Sequence, residues 1–514
     1  MRLKHLLLIG FVLIPFAKVF SQWEVQQIDI NNISAPVEAD GFLFYNTTTQ
    51  TNFEVPKFSG KSCIFVSNLW MGATDQIGAV HMAGNEYKIN GTDYWPGPLS
   101  SNGTAMPPAP WNKIWHIDKN TIDNHMANYN TQGYQMPEDI ALWPGSSYNN
   151  ISQIFAPFAD VNNNGIYDPS FGDYPNVPGD EALYLMYNDK YAAHGETSGI
   201  PLEAEVYTTV YAYNSTGSNI IDHTVFVRHR IRNKSQQNTY TNFYAGMWND
   251  FDIGDNSDDY IGTDIGRNMV YGYNADDSDA VYGMHPPAAA MKILNHPLHN
   301  SMYYSYGSIA NTTGAPNTSN EYYNYLRSFW KDNTPLSYGQ NGYQTGQGNT
   351  PYCFSGNTNT NYSQAWNADT PLNYRIIGTA GPFTLPQNGF ITLDVAYIYA
   401  RGINGNSISE LQTAADVVQN FYNAIANSTS DISEKNNISV FPNPTHDYFT
   451  IQLHDVSQGP NRIELTDISG KIAHAENISF NGRYQVDISH LSKGIYFLTV
   501  SSNSGLQTQK LIKN

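Results

Sequence analysis

His223 to Asn233, HTVFVRHRIRN, is the stretch on which the reading of the fold turns. Side chains of a β-strand alternate between two faces. Val225, Val227, His229 and Ile231 therefore share one face, and Arg228, Arg230 and Arg232 share the other. That is the pattern of an antiparallel strand with one apolar and one wet face. The arginines are expected to be solvated or paired with sheet neighbours.

The same period recurs in EVYTTVYAYN (Glu205–Asn214), TNFYAGMW (Thr241–Trp248) and GFITLDVAYIYARG (Gly389–Gly402), all rich in Val, Ile, Thr and Tyr. Charged residues make up only 14% of the chain and aromatics 13%, with 37 Tyr and 40 Gly. Disordered chains are aromatic-poor, whereas aromatics pack well on pleated surfaces. The fold class is thus mainly β: a β-sandwich body with long loops, followed by a small Ig-like β-sandwich at the C-terminus. One amphipathic helix stands out, SISELQTAADVVQNFYNAIAN (Ser407–Asn427), with Ser407 and Glu410 as a capping box. Leu411, Ala414, Ala415, Val418, Phe421, Tyr422 and Ile425 share its apolar face. The span 308–363 reads as long loops with a short helix near 321–331.

Arg2, Lys4 and His5 precede an apolar run, Leu6 to Phe16, followed by AKVFSQ. The run is too short to span a bilayer, and the order matches a secretory signal peptide over 1–21, cut near Ser21/Gln22. Its removal takes away Arg2, Lys4 and Lys18 and no acid. The basic count falls from 26 to 23 against 45 acids, a net charge of −22. Such a chain repels nucleic acid and anionic membranes. No later apolar run reaches membrane length. Two cysteines, Cys63 and Cys353, are too few for a disulfide framework, and whether they pair is left open.

The chain divides into a body over 22–426, with a subdomain break expected near 180–200, a linker over 427–437 (NSTSDISEKNN) and a C-terminal domain over 438–514. In the last, Phe449, Ile451 and Leu453, then Ile463 and Leu465, then Tyr496, Leu498 and Val500 alternate with polar residues between glycine turns. Pro442 and Pro444 cannot donate to a ladder and mark an edge or strand entry.

FPNP (Phe441–Pro444), DISGK (Asp467–Lys471), LSKGIYFLTV (Leu491–Val500) and KLIKN (Lys510–Asn514) together resemble the type A C-terminal sorting domain of type IX secretion cargo. The resemblance implies recognition by the type IX machinery and delivery to the outer cell surface or the medium. The body is also similar to a recurrent exported group without assigned activity, through FADVNNNGIYDPSFGDYP (Phe158–Pro175), WNDFDIGDNSDDYIGTD (Trp248–Asp264), NYLRSFWKDNTPLSYGQNGY (Asn324–Tyr343) and Gly378–Gly402.

Two segments carry metal-ligating chemistry. In FADVNNNGIYDPSFGDYP, Asp160, Asn162 and Asn164 are oxygen ligands at positions 1, 3 and 5, Gly165 stands at 6, the Ile166 carbonyl at 7 and Asp168 at 9. This is the first part of an EF-hand-type calcium loop. Position 12 is Phe171, and Pro169 forbids the usual exiting helix, so Asp173 is the expected substitute carboxylate. The alternative is an Asx-rich turn. In the second segment, Asp250, Asp252, Asp255, Asp258 and Asp259 crowd together and need solvent or a cation. A glycosidase acid/base pair is the competing reading.

There is no GxSxG elbow, HExxH or phosphate-binding glycine loop. His296 and His299 lack an evident third ligand. The tryptophan-rich segments 93–98 and 108–118 read as packing ahead of sugar stacking. The expectation is an exported, calcium-stabilised, non-catalytic protein with a structural, adhesive or glycan-binding role. A secreted hydrolase acting on polysaccharide or peptide is the alternative.

Overall fold

The computed structural model describes residues 23–215, 220–305, 311–356, 366–368, 370–405, 407–428, 438–453, 461–467, 472–478, 483–502 and 505–513. The signal-peptide segment 1–21 lies outside the described residues. So does the linker, except for Asn427 and Ser428, which continue the preceding helix.

The strand Thr224–Asn233 has the alternation read from its sequence: Val225, Val227, His229 and Ile231 are buried, while Arg228, Arg230 and Arg232 are half-exposed. It is a central strand of a nine-stranded antiparallel sheet. The order runs 259–264, 269–274, 288–293, 390–400, 224–233, 204–212, 181–188, with 95–96 and 115–118 both pairing the last. Arg228 forms a two-pronged pair with Asp394 of the adjacent strand, at 2.8 and 3.0 Å. Arg230 lies over the Phe390 ring. Arg228 and Arg230 are thus engaged within the sheet.

A five-stranded sheet packs on its other face, in the order 300–305, 374–385, 240–250, 66–74, 80–84. One continuous core runs between the two, joining Leu69, Met247 and Ile377 to Val206, Val227 and Val395. Ser67 Oγ reaches Tyr397 OH at 2.6 Å across it. Beyond the large sheet, Phe226, Met186, Ala396 and Ile398 are covered by the helix Ser407–Ser428 and by Trp111, Trp115, Trp143 and Phe155. That second core explains why all eight residues of Glu181–Asn188 are buried.

The expected break near 180–200 does not coincide with a gap in the sheet. Strand 181–188 pairs forward with 204–212 and backward with 115–118. Ser407 Oγ donates to Pro286 O and accepts from Gly402 N, so it ties the long helix to the body. The short helix of the loop region is Ser319–Tyr325.

The C-terminal residues form a three-stranded sheet (438–441, 448–453, 483–487) and a four-stranded one (472–478, 461–467, 494–502, 505–513). Phe449, Ile451, Ile463, Leu465, Leu498 and Val500 make the core. Ile438–Phe441 is an edge strand, where the following prolines leave no ladder bond unmade. Thr445 N donates to Ile512 O, and Ile512 N donates to Asn443 Oδ1. The FPNP turn and the basic-apolar terminus therefore lie side by side.

Candidate functional site

The loop Phe158–Pro175 is closed at its base by antiparallel pairing of Phe158–Ala159 with Tyr174–Pro175. Gly165 takes a left-handed φ of 85° at the sharp bend, where a Cβ would be strained. Asp160 accepts from Asn164 N at 3.0 Å and from Gly165 N at 2.8 Å. The carboxamides of Asn162 and Asn164 donate to the two oxygens of Asp168, at 3.0 and 2.8 Å. Asp173 is fully buried. It accepts Val161 N at 2.8 Å and Asp168 N at 3.0 Å. Burial raises its carboxyl above the ordinary range, against the pull of those two N–H groups.

Asp160, Asn162, Asn164 and Asp168 are thus linked side chain to side chain or through the bend, with Asp173 bracing both ends. Each Asp173 oxygen has a second lone pair beyond the one its N–H occupies. The Ile166 side chain is exposed, and its N–H is held by Asn164 Oδ1.

The second segment is divided. Asp250 ends the strand Tyr240–Asp250 and is buried. Arg375 Nη1 lies 2.8 Å from its Oδ1, too oblique for a hydrogen bond but close enough for an ion pair. Tyr87 OH donates to its Oδ2 at 2.6 Å. Asp252 lies near Asp250, and its carboxyl is pushed up to about 8, first by burial and then by the charge of that neighbour. Asp259 is pushed up to about 9 by burial. Its Oδ2 accepts Ile253 N at 2.8 Å, and Oδ1 has no hydrogen-bond partner. Asp258 and Asp279 lie near it. Asp255 turns outward and accepts from Ser257, which lowers its pKa. Among the described residues, no three His, Cys, Asp or Glu side chains converge tightly enough to hold an ion by themselves.

A third cluster has no local signature in the sequence. Glu86 and Glu196 meet on the outer face of the five-stranded sheet, among Trp70, Tyr304 and Tyr322. Both are buried, and each has one oxygen without a hydrogen-bond partner. Burial, only partly opposed by the Tyr304 and Tyr322 hydroxyls, pushes Glu86 up to about 7. Burial and then the charge of Glu86 push Glu196 up to about 8. A close backbone crossing brings them together: a Cβ on Gly195 would lie 2.9 Å from Gly91 Cα. Asp93 pins the crossing by accepting Glu196 N at 3.0 Å and the Thr197 hydroxyl at 2.5 Å. Those paired glycines are the one signal the sequence holds.

Other candidates fall away. Cys63 and Cys353 are free and buried, with burial raising both thiols above the reactive range. His296 Nε2 bonds Thr392 O at 2.8 Å. Trp95, Trp111 and Trp115 are buried, so they pack and do not present rings for stacking.

No curated protein matches the chain. A polysaccharide lyase is similar in structure at 8% identity and a TM-score of 0.20, over 66% of this chain and 37% of that one. A family GH92 inverting mannosidase from Bacteroides thetaiotaomicron follows at 7% and 0.19, over 52% and 27%. Dimeric latent PorU from Porphyromonas gingivalis follows at 10% and 0.13, over 65% and 31%. The chain thus spans about a third of these structures, at scores too low to carry an argument about fold or activity. Residues 439–514 match the family model of the secretion system C-terminal sorting domain. They form the two-sheet domain in which the FPNP turn and the terminal strand meet. The chain therefore ends in a secretion-system sorting domain and is a type IX secretion cargo, exported to the cell surface or the medium.

Proposed function

We propose that the exported body is a non-catalytic structural, adhesive or glycan-binding protein whose loop 160–173 is braced by calcium. The donor set of that loop carries the reading. Calcium takes six to eight oxygens. Asp160, Asp168 and Asp173 supply carboxylates, Asn162 and Asn164 supply carboxamides, and Ile166 supplies a main-chain carbonyl. Each carboxamide oxygen accepts one backbone N–H, from Asn164 or from Ile166, and keeps a second lone pair for an ion. With an affinity of ~10⁻⁴–10⁻³ M, as extracellular modules have, 10 mM calcium should stabilise the body by about 1–3 kcal/mol. The melting temperature should rise by a few degrees over a chelated sample. Asp168→Asn should abolish the rise. An unchanged melt together with no calcium by elemental analysis would exclude the site.

The second reading, a secreted hydrolase, rests on the Glu86–Glu196 pair beside Trp70. Release of sugars or peptides from polysaccharide or protein substrates, lost in Glu196→Gln, would favour it. For the export route, deletion of residues 438–514 should leave the protein in the periplasm, read by surface proteolysis and fractionation. Normal surface delivery of that truncation would contradict the sorting assignment.

A further inference from the structure

A cavity of about 400 Å³ opens between the turn at Gly266–Asn268, the end of strand Ala288–Ile293 with the loop after it, and the helix Ser407–Ser428. Three ties hold its walls. Arg267 spans it, bonding both oxygens of Asp416 on the helix at 3.0 Å and Asp264 Oδ2 at 3.0 Å. Gln419 Nε2 donates to Leu294 O at 3.1 Å. Asn268 Oδ1 accepts Leu298 N at 3.0 Å.

Lys292 lines this cavity and is 3% exposed. Its ammonium donates to Arg267 O. Among the described residues no carboxylate lies within ion-pair distance of it; the nearby Asp264 and Asp416 both pair with Arg267. An ammonium has three N–H bonds, so two are left to be satisfied. A buried charge without a counter-ion is costly. Burial pulls this lysine down to about 8, with the attraction of Asp416 and Asp264 opposing that pull and Arg267 adding to it. His296 also lines the cavity, and its Nε2 bonds Thr392 O. The rest of the wall is rich in carboxamides, with Asn423 at the mouth beside Gln419. The volume lies within the range of small-molecule sites.

We propose that this cavity binds a small carboxylate-bearing molecule, whose carboxylate accepts the two remaining N–H bonds of Lys292 and whose other polar groups meet the carboxamide wall. The ligand gives Lys292 the direct ion-pair partner it lacks, since Asp264 and Asp416 both lie against Arg267. The site is separate from the calcium loop and stands whether or not that loop binds calcium.

Isothermal titration of the full exported chain at pH 7 tests it, with sodium galacturonate, N-acetylglycine and neutral galactose as probes. One or both carboxylates should bind, and galactose should not. Galacturonate alone would mark the ligand as a uronic acid, and N-acetylglycine alone as a peptide-type carboxylate. Lys292→Met should weaken binding by about tenfold or more, the usual loss for a charge-assisted hydrogen bond, while Lys292→Arg retains it. Wild-type affinity should fall by about tenfold per pH unit above pH 8, and that of the arginine variant should not. Should the methionine variant fail to fold, the wild-type pH profile decides alone. No binding of either carboxylate up to about 20 mM, equal binding of galactose, or a flat profile from pH 7 to 10 would overturn the proposal.

Discussion

Arg375→Met should destabilise the body by about 3–5 kcal/mol, the cost of stranding one member of a buried ion pair. Arg375 and Asp250 are 4% and 1% exposed. The guanidinium pairs with Asp250, donates to the Tyr87 hydroxyl and reaches Tyr374 O at 3.0 Å. Burial already raises the Asp250 carboxyl, and Arg375 is the largest opposing influence. Removing the cation while keeping Asp250 leaves a buried carboxylate facing Asp252, stripped of its largest stabilising influence. The double variant Arg375→Met with Asp250→Asn should therefore recover much of the loss, because the desolvated charge goes with its partner. Denaturant melts of the single and double variants measure both quantities. A single variant within about 1 kcal/mol of wild type, or a double variant no better than the single, would show that the pair is not carrying the charge of this cluster.

What the sequence made legible follows from the range over which each feature is encoded. Strand 224–233 was readable because its burial alternates residue by residue from Val227 to Asn233, and the long helix because Leu411, Ala414, Ala415 and Val418 form one buried stripe. Strand 181–188 carries no alternation, since both of its faces are covered. The helix Lys119–Asn128 is polar nearly all round and buries His125 alone, so periodicity could not find it. Its signal is the Asp118 cap accepting Thr121 N at 2.8 Å. The loop 158–175 was legible as a candidate because all its donors sit within one short segment. Glu86 with Glu196, and Lys292 with Asp416, were not: a close backbone crossing assembles the first and the packing of the long helix on the sheet the second, each joining residues more than a hundred positions apart.

The Glu86–Glu196 pair also sets a pH dependence of stability opposite to ordinary acid denaturation. Glu86 is raised from 4.5 to about 7 and Glu196 from 4.5 to about 8. A carboxyl raised by folding holds its proton in the native state after the unfolded chain has released it. Its contribution is complete below pH 4.5 and is lost as pH rises through 7 and 8, at about 1.4 kcal/mol per unit for each group. His229 works the other way. Fully buried, with Nδ1 on Thr208 Oγ1 at 2.8 Å, it is lowered from 6.5 to about 3 by burial. Its contribution is present above pH 6.5 and fades as pH falls toward 3. These groups together place the stability maximum near pH 5, with a loss of several kcal/mol between pH 5 and 8. Glu196→Gln removes one titrating group while keeping its shape. It should flatten that decline by about 1.4 kcal/mol per unit and stabilise the body above pH 7, where the buried wild-type charge begins to form. Chemical denaturation at half-unit steps from pH 4 to 9 reads both slopes. A wild-type maximum above pH 7, or an unaltered slope in Glu196→Gln, would show that the two carboxyls are solvated or neutralised by something other than a retained proton.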